Sequence, residues 1–493
     1  RYNLDFSFFR IYDDEGAPLQ PEVYFQWASE GVRAGDPIFI IGNPGATSRL
    51  QSVAELEFRR DIQDRFLLAF VDRRIEVMEV FIDAYPEEAE THDLRNDLFG
   101  LLNTHKAMAG QIQGMEDPII LARRQDAEDD LMEALRADSA RGERFGTMFE
   151  DMREIQDTKR EQAAGFGAFL ALTVSDFASP TLHRALIAFQ VLNGQRGGAS
   201  PDQLSELMDQ LRAVGNRPPE LDEALIETRI EEFIEYYGED SWVQEILEGR
   251  SPEGAAARIR EGSVLSDSAS AVQAAERGTL EPSDPAIRFV LSYVPPFIEF
   301  QGAFAGLAAR EAEIAGLIGQ ARFEVYGTTQ PPDATFSLRI ADGVVSGYPY
   351  NGTEAPPITT LFGLYDRHYS FRYQPGDPAD SPWALPDRWL EAQGDLDLST
   401  PLDFSSRADI IGGNSGSPVL NQFLQVVGVV FDGNIESLPG DYIYLPELNR
   451  SVAVDARGIL EAIDVVYDMD RIVLELTTGQ LAATEEEADR GRR

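Results

Sequence analysis

The 493-residue chain has no cysteine, only two lysines and four histidines, and no long uninterrupted hydrophobic run. Without cysteine it can form neither disulfide bonds nor cysteine-ligated metal sites, although this absence does not decide the redox compartment. Because no apolar run is long enough to span a membrane and 43% of the residues are hydrophobic, we expect a globular, soluble protein. The length exceeds that of a single hydrophobic core and predicts two or three domains.

Positive charge is scarce as well. Asp and Glu together number 85 against 42 Lys and Arg, which gives a formal net charge of -43. Such a chain repels nucleic acid and anionic lipid, so we exclude both as partners. Lys106 and Lys159 are the two lysines, and all other basic residues are arginine apart from the histidines. An acidic, lysine-poor surface suits a salty external medium, although a GC-rich genome also produces an arginine bias.

The most informative motif is the glycine-rich stretch 411–420, which places Ser415 between two β-favouring sequences. A serine hydroxyl is a weak nucleophile and needs a general base and backbone N–H donors for the oxyanion. The glycines let the N–H groups of Gly413 and Ser415 point at one spot. Because position 417 is Ser, the motif is not the G-x-S-x-G turn of α/β-hydrolases. It resembles the nucleophile loop of chymotrypsin-type serine proteases; a glycine-rich turn with an idle serine is the alternative.

Serine proteases of this type carry their catalytic triad in the chain order His, Asp, Ser. Asp5 opens an aromatic-rich, β-favouring run that resembles the triad aspartate, although an aspartate there is often a solvated turn residue. The histidine should precede Asp5, and only four residues do. Surface or packing roles are predicted for the histidines that follow, which are His92, His105, His183 and His368. We therefore expect an N-terminally truncated piece of a longer enzyme, with the histidine in the absent part.

Five separate blocks, in the right order, resemble the S46 peptidases, the bacterial dipeptidyl-peptidases 7 and 11 and their relatives. The blocks are residues 4–12, 42–50, 332–339, 412–419 and 431–437. This family is secreted or periplasmic, and it removes dipeptides from the free N-terminus of peptides. The resemblance implies peptide or oligopeptide substrates, a homodimer and a periplasmic or secreted location. We expect no cofactor and no metal ion.

The resemblance also implies roles for individual residues. Ser415 would be the nucleophile and Asp5 the acid that orients the base. Asp432 matches the acid that pairs with the substrate's α-ammonium group, and Asn103 resembles the asparagine of the helical domain that helps to hold it. The residues after Asn103 are Thr and His where the family usually has aromatic residues. A carboxylate and an amide oxygen bind an ammonium group by charge-assisted hydrogen bonds, which would measure two residues from the peptide's end.

Gly433, 18 positions after Ser415, bears on specificity. In the S46 family, arginine at the matching position accompanies a preference for Asp or Glu before the cut, whereas glycine accompanies an apolar or aromatic preference. Glycine leaves room for a large side chain, and a buried substrate carboxylate without a cation would be costly. We therefore predict an apolar or aromatic residue before the cut, the alternative being that Gly433 is only a turn residue beside Asp432.

The hydrophobic pattern changes twice along the chain, from β to helical and back. This order predicts a fold of β plus α. It resembles the S46 plan, which implies a chymotrypsin-like double β-barrel, here with its first barrel incomplete, and a large inserted α-helical domain. Four segments are predicted: 1–46, the C-terminal part of the first barrel; 47–322, the helical cap; 323–475, the second barrel with the nucleophile; and 476–493, a disordered tail.

Individual elements follow from local patterns. Strands are predicted at 5–12, 21–27, 37–41, 335–340, 426–431 and 451–455. Apolar residues at steps of three and four between Leu67 and Ile82 predict an amphipathic helix. Further helices are predicted at 118–138, 167–192, 202–214 and 221–237.

The sequence favours a serine exopeptidase that acts through an acyl-enzyme, and this chain alone is expected to be inactive because Ser415 lacks its base. Two alternatives remain. One is a catalytically inactive homologue that binds peptide N-termini, which the upstream gene sequence would distinguish by the absence of a suitable histidine. The other is an acidic helical interaction protein with a β appendage, in which an inhibitor of active serines would leave Ser415 unlabelled.

Overall fold

The structure is a computed structural model and describes residues 1–169, 178–238, 240–371 and 381–492. Contacts along the chain divide it into two compact units. The first, which we call the β unit, consists of Arg1–Leu50 and Pro331–Arg493. The second, which we call the helical unit, is Gln51–Gln330. The chain therefore leaves the β unit after Leu50 and returns to it at Pro331.

The helical unit is built from helices that range from six residues in the first to 42 in the last. Its helices are α1 (Val53–Phe58), α2 (Asp64–Ala84), α3 (Pro86–Thr91), α4 (Leu94–Glu116), α5 (Pro118–Arg136), α6 (Ser139–Phe145), α7 (Met148–Arg160), α8 (Ala163–Phe169), α9 (Pro180–Gly197), α10 (Pro201–Ala213), α11 (Pro219–Tyr237), α12 (Ser241–Leu247), α13 (Pro252–Gly262), α14 (Ser268–Glu276) and α15 (Pro285–Tyr326). None of the helices in the described ranges is long and apolar enough to cross a membrane.

A recurrent dipeptide begins several of these helices. In each case a serine or aspartate accepts a backbone N–H of the first turn, and the proline that follows occupies a position whose N–H would have no partner. The capping residues are Asp117, Ser179, Ser200, Ser251 and Asp284. Such local signals make helix starts predictable, and the predicted start at Pro118 is confirmed.

The predicted amphipathic helix is confirmed as α2. Its buried face includes Phe70, Met78 and Phe81, which pack in one cluster with Leu221 and Leu225 of α11. The predicted helix 167–192 instead corresponds to α8, which ends at Phe169, and α9, which begins at Pro180. Residues 170–177 lie outside the described residues.

The β unit carries one large sheet and a small hairpin. Its strands are β1 (Gln26–Trp27), β2 (Pro37–Gly42), β3 (Arg339–Val344), β4 (Tyr348–Tyr350), β5 (Thr353–Ala355), β6 (Ile358–Thr360), β7 (Pro401–Ser406), β8 (Pro418–Asn421), β9 (Gln425–Gly433) and β10 (Ser451–Asp455). The strand order is β3-β2-β8-β9-β10-β7-β6, with β1 also paired to β9; β4 and β5 form the hairpin. All pairs are antiparallel except β1 with β9.

Alternate residues of the strands face the core of the β unit, as the two-residue period of a strand requires. On β2, Ile38 and Ile40 are buried and pack in one cluster with Val419 of β8 and Val427 and Val430 of β9. In the described ranges the β unit also contains the helices α16 (Leu361–Phe371), α17 (Asp387–Ala392), α18 (Ala456–Glu461), α19 (Asp470–Thr478) and α20 (Glu485–Arg492). The β-branched residues of β9 and β10 explain why these two strands were predictable.

The sheet does not close into a barrel by continuous pairing of its strands in the described ranges, because β3 and β6 stand at its two ends. An isolated antiparallel bridge joins Val345, just after β3, to Ser406 at the end of β7. The fold class is therefore mixed α and β with a mainly antiparallel sheet. The predicted double β-barrel is finer than these pairings show and stays a prediction.

The predicted strand at 5–12 is wrong. Residues 1–11 have no regular secondary structure, and Tyr12 forms only an isolated bridge with Pro18. Phe9 and Ile11 are 90% and 67% exposed, so this β-favouring sequence has no neighbouring strand to pair with or pack on. The predicted strand 21–27 is likewise reduced to β1.

The predicted disordered tail differs from the structure, which describes α19 and α20 there and leaves residue 493 outside the described residues. Ala482 and Ala488 are buried against Leu474, and the Arg471 N–H donates to Glu485 Oε2 at 2.7 Å. A small apolar contact thus folds a sequence whose composition alone suggested disorder.

One buried carboxylate makes the stability of the β unit depend on pH. Asp403 of β7 is 2% exposed; its Oδ2 accepts the Asn3 N–H at 3.1 Å, and its Oδ1 has no hydrogen-bond partner in the described part of the chain. Burial raises the pKa of Asp403 from 3.8 to about 7. The protonated form is therefore favoured in the folded state, and stability is lost as the pH rises from about 4 to about 7.

We predict that Asp403→Asn raises the free energy of unfolding at pH 8 by roughly 2–4 kcal/mol and has little effect at pH 4, since an amide carries no charge to desolvate. Urea unfolding of the β unit at both pH values measures this, with the exposed Asp342→Asn as the matched control. Equal changes at pH 4 and pH 8 would contradict the assignment.

Candidate active site

The glycine-rich serine loop precedes β8 and is held by backbone hydrogen bonds on both sides of Ser415. The N–H groups of Asn414, Gly416 and Ser417 donate to the carbonyls of Ile411, Val430 and Asn414 at 3.1, 2.8 and 2.9 Å, respectively. Ser415 itself is exposed, and its Oγ donates to the Phe431 carbonyl at 3.3 Å. The loop therefore presents this hydroxyl at the surface of the β unit from a fixed backbone.

The N–H groups of this loop differ in whether they donate to a protein acceptor. In the part of the chain that the structure describes, the N–H groups of Gly413 and Ser415 donate to no protein acceptor, whereas those of Asn414, Gly416 and Ser417 do. An oxyanion hole requires N–H groups that are not already used. Gly413 and Ser415 were predicted to form that hole; the free N–H groups fit this role, which stays a prediction.

The turn after β2 packs closely against the serine loop and needs glycine at the contact. The Gly45 N–H donates to the Gly412 carbonyl at 2.7 Å. A Cβ added to Gly42 would overlap Ser417 Oγ and lie 2.8 Å from Asn414 Oδ1, and both of these side chains are buried. Gly413 has a φ of +100°, and a Cβ there would lie 2.7 Å from the Asn43 carbonyl oxygen. Two segments far apart in sequence thus fit together only because these positions lack side chains.

The end of β9 places Asp432 one residue from the carbonyl that Ser415 contacts. Asp432 Oδ1 accepts the Gly433 N–H at 2.8 Å, and its Oδ2 lies 2.7 Å from Arg1 Nη2. The same guanidinium donates to the Gly433 carbonyl at 3.2 Å. The Asp432 side chain is 27% exposed, so it is a reachable carboxylate that already holds a cation. Nucleophile and cation-binding acid therefore meet at one end of β9.

Gly433 lies in a tight place. A Cβ at this position would overlap Ser437 Oγ and lie 3.3 Å from the Arg450 carbonyl oxygen. Ser437 Oγ in turn donates to the Asn434 carbonyl at 2.7 Å. A side chain at position 433 would need Ser437 to move, and Gly433 itself contributes no charge to the site.

Asp5 is not brought to Ser415 by any contact that the structure describes. It is exposed in a segment without regular structure, and no hydrogen bond or ion pair of Asp5 is found among the described residues. Its predicted role as the acid that orients the base stays a prediction. In the same described ranges, no group of three or more His, Asp or Glu side chains is placed to hold a metal ion.

His368 and His105 have local partners. His368, on α16 of the β unit, has its Nδ1 3.1 Å from the Leu385 N and 3.2 Å from the Trp383 carbonyl oxygen. His105, on α4 of the helical unit, has its Nε2 3.0 Å from Asp72 Oδ1. Asn103 lies on an exposed position of α4, two residues before His105. Its predicted part in holding the ammonium group is not tested by these contacts.

Sequence reasoning gave no role to Arg49, although it stands in one of the matched blocks. Its guanidinium bonds the carboxylate of Asp409, ahead of the serine loop, and the Gly440 carbonyl, beyond Asp432. A charged residue inside a matched block was the signal that could have pointed to it.

We predict that Gly42→Ala slows the reaction of Ser415 with a fluorophosphonate at least about tenfold, because the added methyl group displaces Ser417 and Asn414 beneath the serine. Gly412→Ala is the matched control, since a Cβ there meets no atom within 4 Å and should leave the rate nearly unchanged. Mass-spectrometric labelling rates of the complete gene product, with melting temperatures recorded alongside, measure the difference. Equal rates in the two variants would show that the close packing does not matter.

Comparison with known proteins identifies relatives along almost the entire chain. A sequence model of the family described as Peptidase S46 matches residues 1–478. The Asp/Glu-specific dipeptidyl-peptidase of Shewanella putrefaciens is 25% identical, over 97% of this chain and 71% of the relative. That of Porphyromonas gingivalis is 24% identical, over 97% and 69%. Dipeptidyl-peptidase 7 of Porphyromonas endodontalis is 30% identical over only 39% of this chain and 24% of the relative.

Solved structures show the same fold. The crystal structure of Porphyromonas endodontalis DPP11 in complex with the dipeptide Arg-Glu matches with a TM-score of 0.77 and 20% identity, covering 97% of this chain and 71% of that one. Its complex with the dipeptide Arg-Asp matches with a TM-score of 0.76 and 19% identity, covering 95% and 68%. At this level of identity the likeness concerns the fold alone.

Proposed function

This chain belongs to the S46 peptidase family, and we propose on that premise that it is a serine dipeptidyl-peptidase acting on the free N-terminus of peptides. One observation carries the proposal. The exposed hydroxyl of Ser415 bonds the Phe431 carbonyl, and the next residue, Asp432, is a carboxylate that holds a cation. A nucleophile and an ammonium-binding acid at one end of a strand suit an enzyme that cuts at a fixed distance from a charged chain end.

In the proposed reaction, Ser415 Oγ attacks the carbonyl carbon of the second substrate residue and loses its proton to a general base. The carbonyl oxygen becomes an oxyanion, which the N–H groups of Gly413 and Ser415 receive. The bond to the following residue then breaks, its nitrogen takes up a proton and leaves, and the dipeptide remains as an ester on Ser415. Water then attacks the ester carbonyl and loses a proton to the base. The bond to Ser415 Oγ breaks, Oγ takes up a proton, and the dipeptide leaves with a free carboxylate. Asp5 is the proposed partner of the base.

Substrate anchoring is proposed for Asp432, with Asn103 as a further ligand suggested by resemblance alone. Arg1 Nη2 at 2.7 Å from Asp432 Oδ2 supports a cation site there, because a guanidinium nitrogen and an α-ammonium group both donate charge-assisted hydrogen bonds. Blocking the substrate's N-terminus would remove this charge. The enzyme would then act as an exopeptidase because the anchor, and not the sequence further along, sets the register.

The residue preferred before the cut needs correction. Gly433 predicted an apolar or aromatic residue, but the relatives that match over 97% of this chain are named Asp/Glu-specific dipeptidyl-peptidases. We therefore propose an acidic residue at this substrate position. Since Gly433 brings no charge, the cation for a substrate carboxylate would come from elsewhere. Arg1, whose Nη2 donates to the Gly433 carbonyl at 3.2 Å, is a cation beside this position, and it would turn to the substrate carboxylate when the α-ammonium group replaces it on Asp432.

The setting of the reaction is proposed from the family. A homodimer and a periplasmic or secreted location are implied by the resemblance.

An inactive homologue would retain cation binding at Asp432 and lack a reactive Ser415.

We predict that the complete gene product releases dipeptides fastest from fluorogenic substrates with Asp or Glu before the cut, and that Ser415→Ala lowers this release at least about 10³-fold because the nucleophile is lost. A panel that also contains Leu, Met and Phe before the cut measures the preference. Ser417→Ala is the matched control, since its hydroxyl is buried in the same loop.

Faster release after Leu, Met or Phe would overturn the acidic preference and leave the peptidase proposal standing. No release from any substrate, together with an unreactive Ser415, would favour the inactive homologue.

A further inference from the structure

Arg49 follows the turn after β2, and its guanidinium engages two acceptors at once. Nη1 and Nη2 donate to the two carboxylate oxygens of Asp409 at 2.5 and 2.8 Å. Nε and Nη2 donate to the Gly440 carbonyl at 2.9 and 2.6 Å. A fork on a carboxylate combined with a second acceptor requires the planar donor set of arginine, which lysine cannot reproduce.

Asp409, one of these acceptors, directly precedes the serine loop. Asp409 stands two residues before Ile411, whose carbonyl accepts both the N–H and the Nδ2–H of Asn414 at 3.1 and 3.2 Å. Asn414 is buried and immediately precedes Ser415. By holding Asp409, Arg49 fixes the point from which the turn carrying the nucleophile starts.

The other acceptor leads to the predicted ammonium site. Gly440 is buried and lies in a 3-10 segment, Ile435–Asp441, which begins two residues after Gly433. Ser48, next to Arg49, donates its N–H to the Asp441 carbonyl at 2.8 Å. The Arg49 side chain and the Ser48 backbone therefore both donate hydrogen bonds to the segment that follows Asp432.

Arg49 is itself held in place by a third element. Asp333 Oδ1 accepts the Arg49 N–H at 2.8 Å and the Thr47 hydroxyl at 2.6 Å, and its Oδ2 accepts the Leu50 N–H at 3.1 Å. With its backbone fixed and its side chain only 27% exposed, the guanidinium has little freedom to leave its two acceptors. A rigid clamp of this kind can set a distance between the parts it joins.

We propose that Arg49 is a positioning residue for the dipeptidyl-peptidase reaction. It sets the separation between the loop of Ser415 and the segment that follows Asp432, so that nucleophile and ammonium site stand two substrate residues apart. Arg49 contacts neither substrate nor the reacting atoms in this account. The inference rests on the proposed function, because it assigns a role within that same site.

The test is the kinetics of Arg49→Lys in the complete gene product. The lysine keeps the charge and loses the fork, so kcat/KM for a free dipeptidyl substrate should fall about 10- to 100-fold, mainly through kcat, because the nucleophile is displaced. Labelling of Ser415 by a fluorophosphonate should slow in parallel. The matched control is Arg457→Lys. Arg457 makes the same kind of fork on the Asp455 carboxylate and bonds the Val32 carbonyl, instead of Asp409 and Gly440, so its substitution should change both rates less than about twofold.

A second variant keeps the test decisive if Arg49→Lys folds poorly by circular dichroism. Asp409→Asn removes the carboxylate from the same clamp and should lower kcat in the same way. Because both residues act through one interaction, the double variant should be little worse than either single variant. Wild-type kcat in Arg49→Lys or Asp409→Asn, or fully additive losses, would overturn the inference while the peptidase itself stands. An unreactive Ser415 and no dipeptide release in the wild type would refute the proposed function and this inference with it.

Discussion

The pairing of the serine loop with β9 is the interaction on which the proposed site depends. The Gly416 N–H donates to the Val430 carbonyl at 2.8 Å, and the Val430 N–H donates to the Ser417 carbonyl at 3.0 Å, which extends the ladder between β8 and β9. Strand register then fixes where Ser415 lies relative to the end of β9. The position of the nucleophile relative to Asp432 is thus a property of the sheet rather than of a free loop.

Two glycines and the guanidinium of Arg49 complete this arrangement. Gly42 and Gly413 allow the turn after β2 to approach the serine loop closely. An added Cβ would collide with Ser417 Oγ at Gly42 and with the Asn43 carbonyl oxygen at Gly413. Arg49 then bonds residues on both sides of the site, Asp409 and Gly440. The site is consequently built from segments that precede and follow the helical unit in the chain. The large sheet is built in the same way, because β2 pairs with β3 and β8.

Local sequence was sufficient for part of this. The β-branched runs predicted β9 and β10, and apolar residues at steps of three and four predicted α2. Ser415 and Asp432 were predicted as site residues because short motifs carry them. The strand predicted at 5–12 is absent, because strand propensity does not provide a partner strand. The tail predicted to be disordered contains α20, because Ala482 and Ala488 pack against Leu474.

Long-range contacts were beyond the reach of such reasoning. Arg49 and Asp409 are separated by 360 positions, and no periodicity or spacing brings them together. The preference before the cut, which Gly433 predicted to be apolar or aromatic and which we propose to be acidic, is a related case. A single glycine at 433 shows which charge is absent from that position, but residues elsewhere in the chain can bring a cation close to it, and Arg1 Nη2 lies 3.2 Å from the Gly433 carbonyl oxygen.

The most direct test of the central claim, that Asp432 anchors a free peptide N-terminus for attack by Ser415, is a kinetic comparison of wild type and Asp432→Asn. Free and N-acetylated forms of one substrate should be compared in the complete gene product. The account predicts that wild type cleaves the free form far faster, and that Asp432→Asn lowers kcat/KM for the free form about 10- to 100-fold, the loss of a charged hydrogen bond. Little change for the acetylated form is expected. An unchanged kcat/KM for the free form in Asp432→Asn would contradict the account.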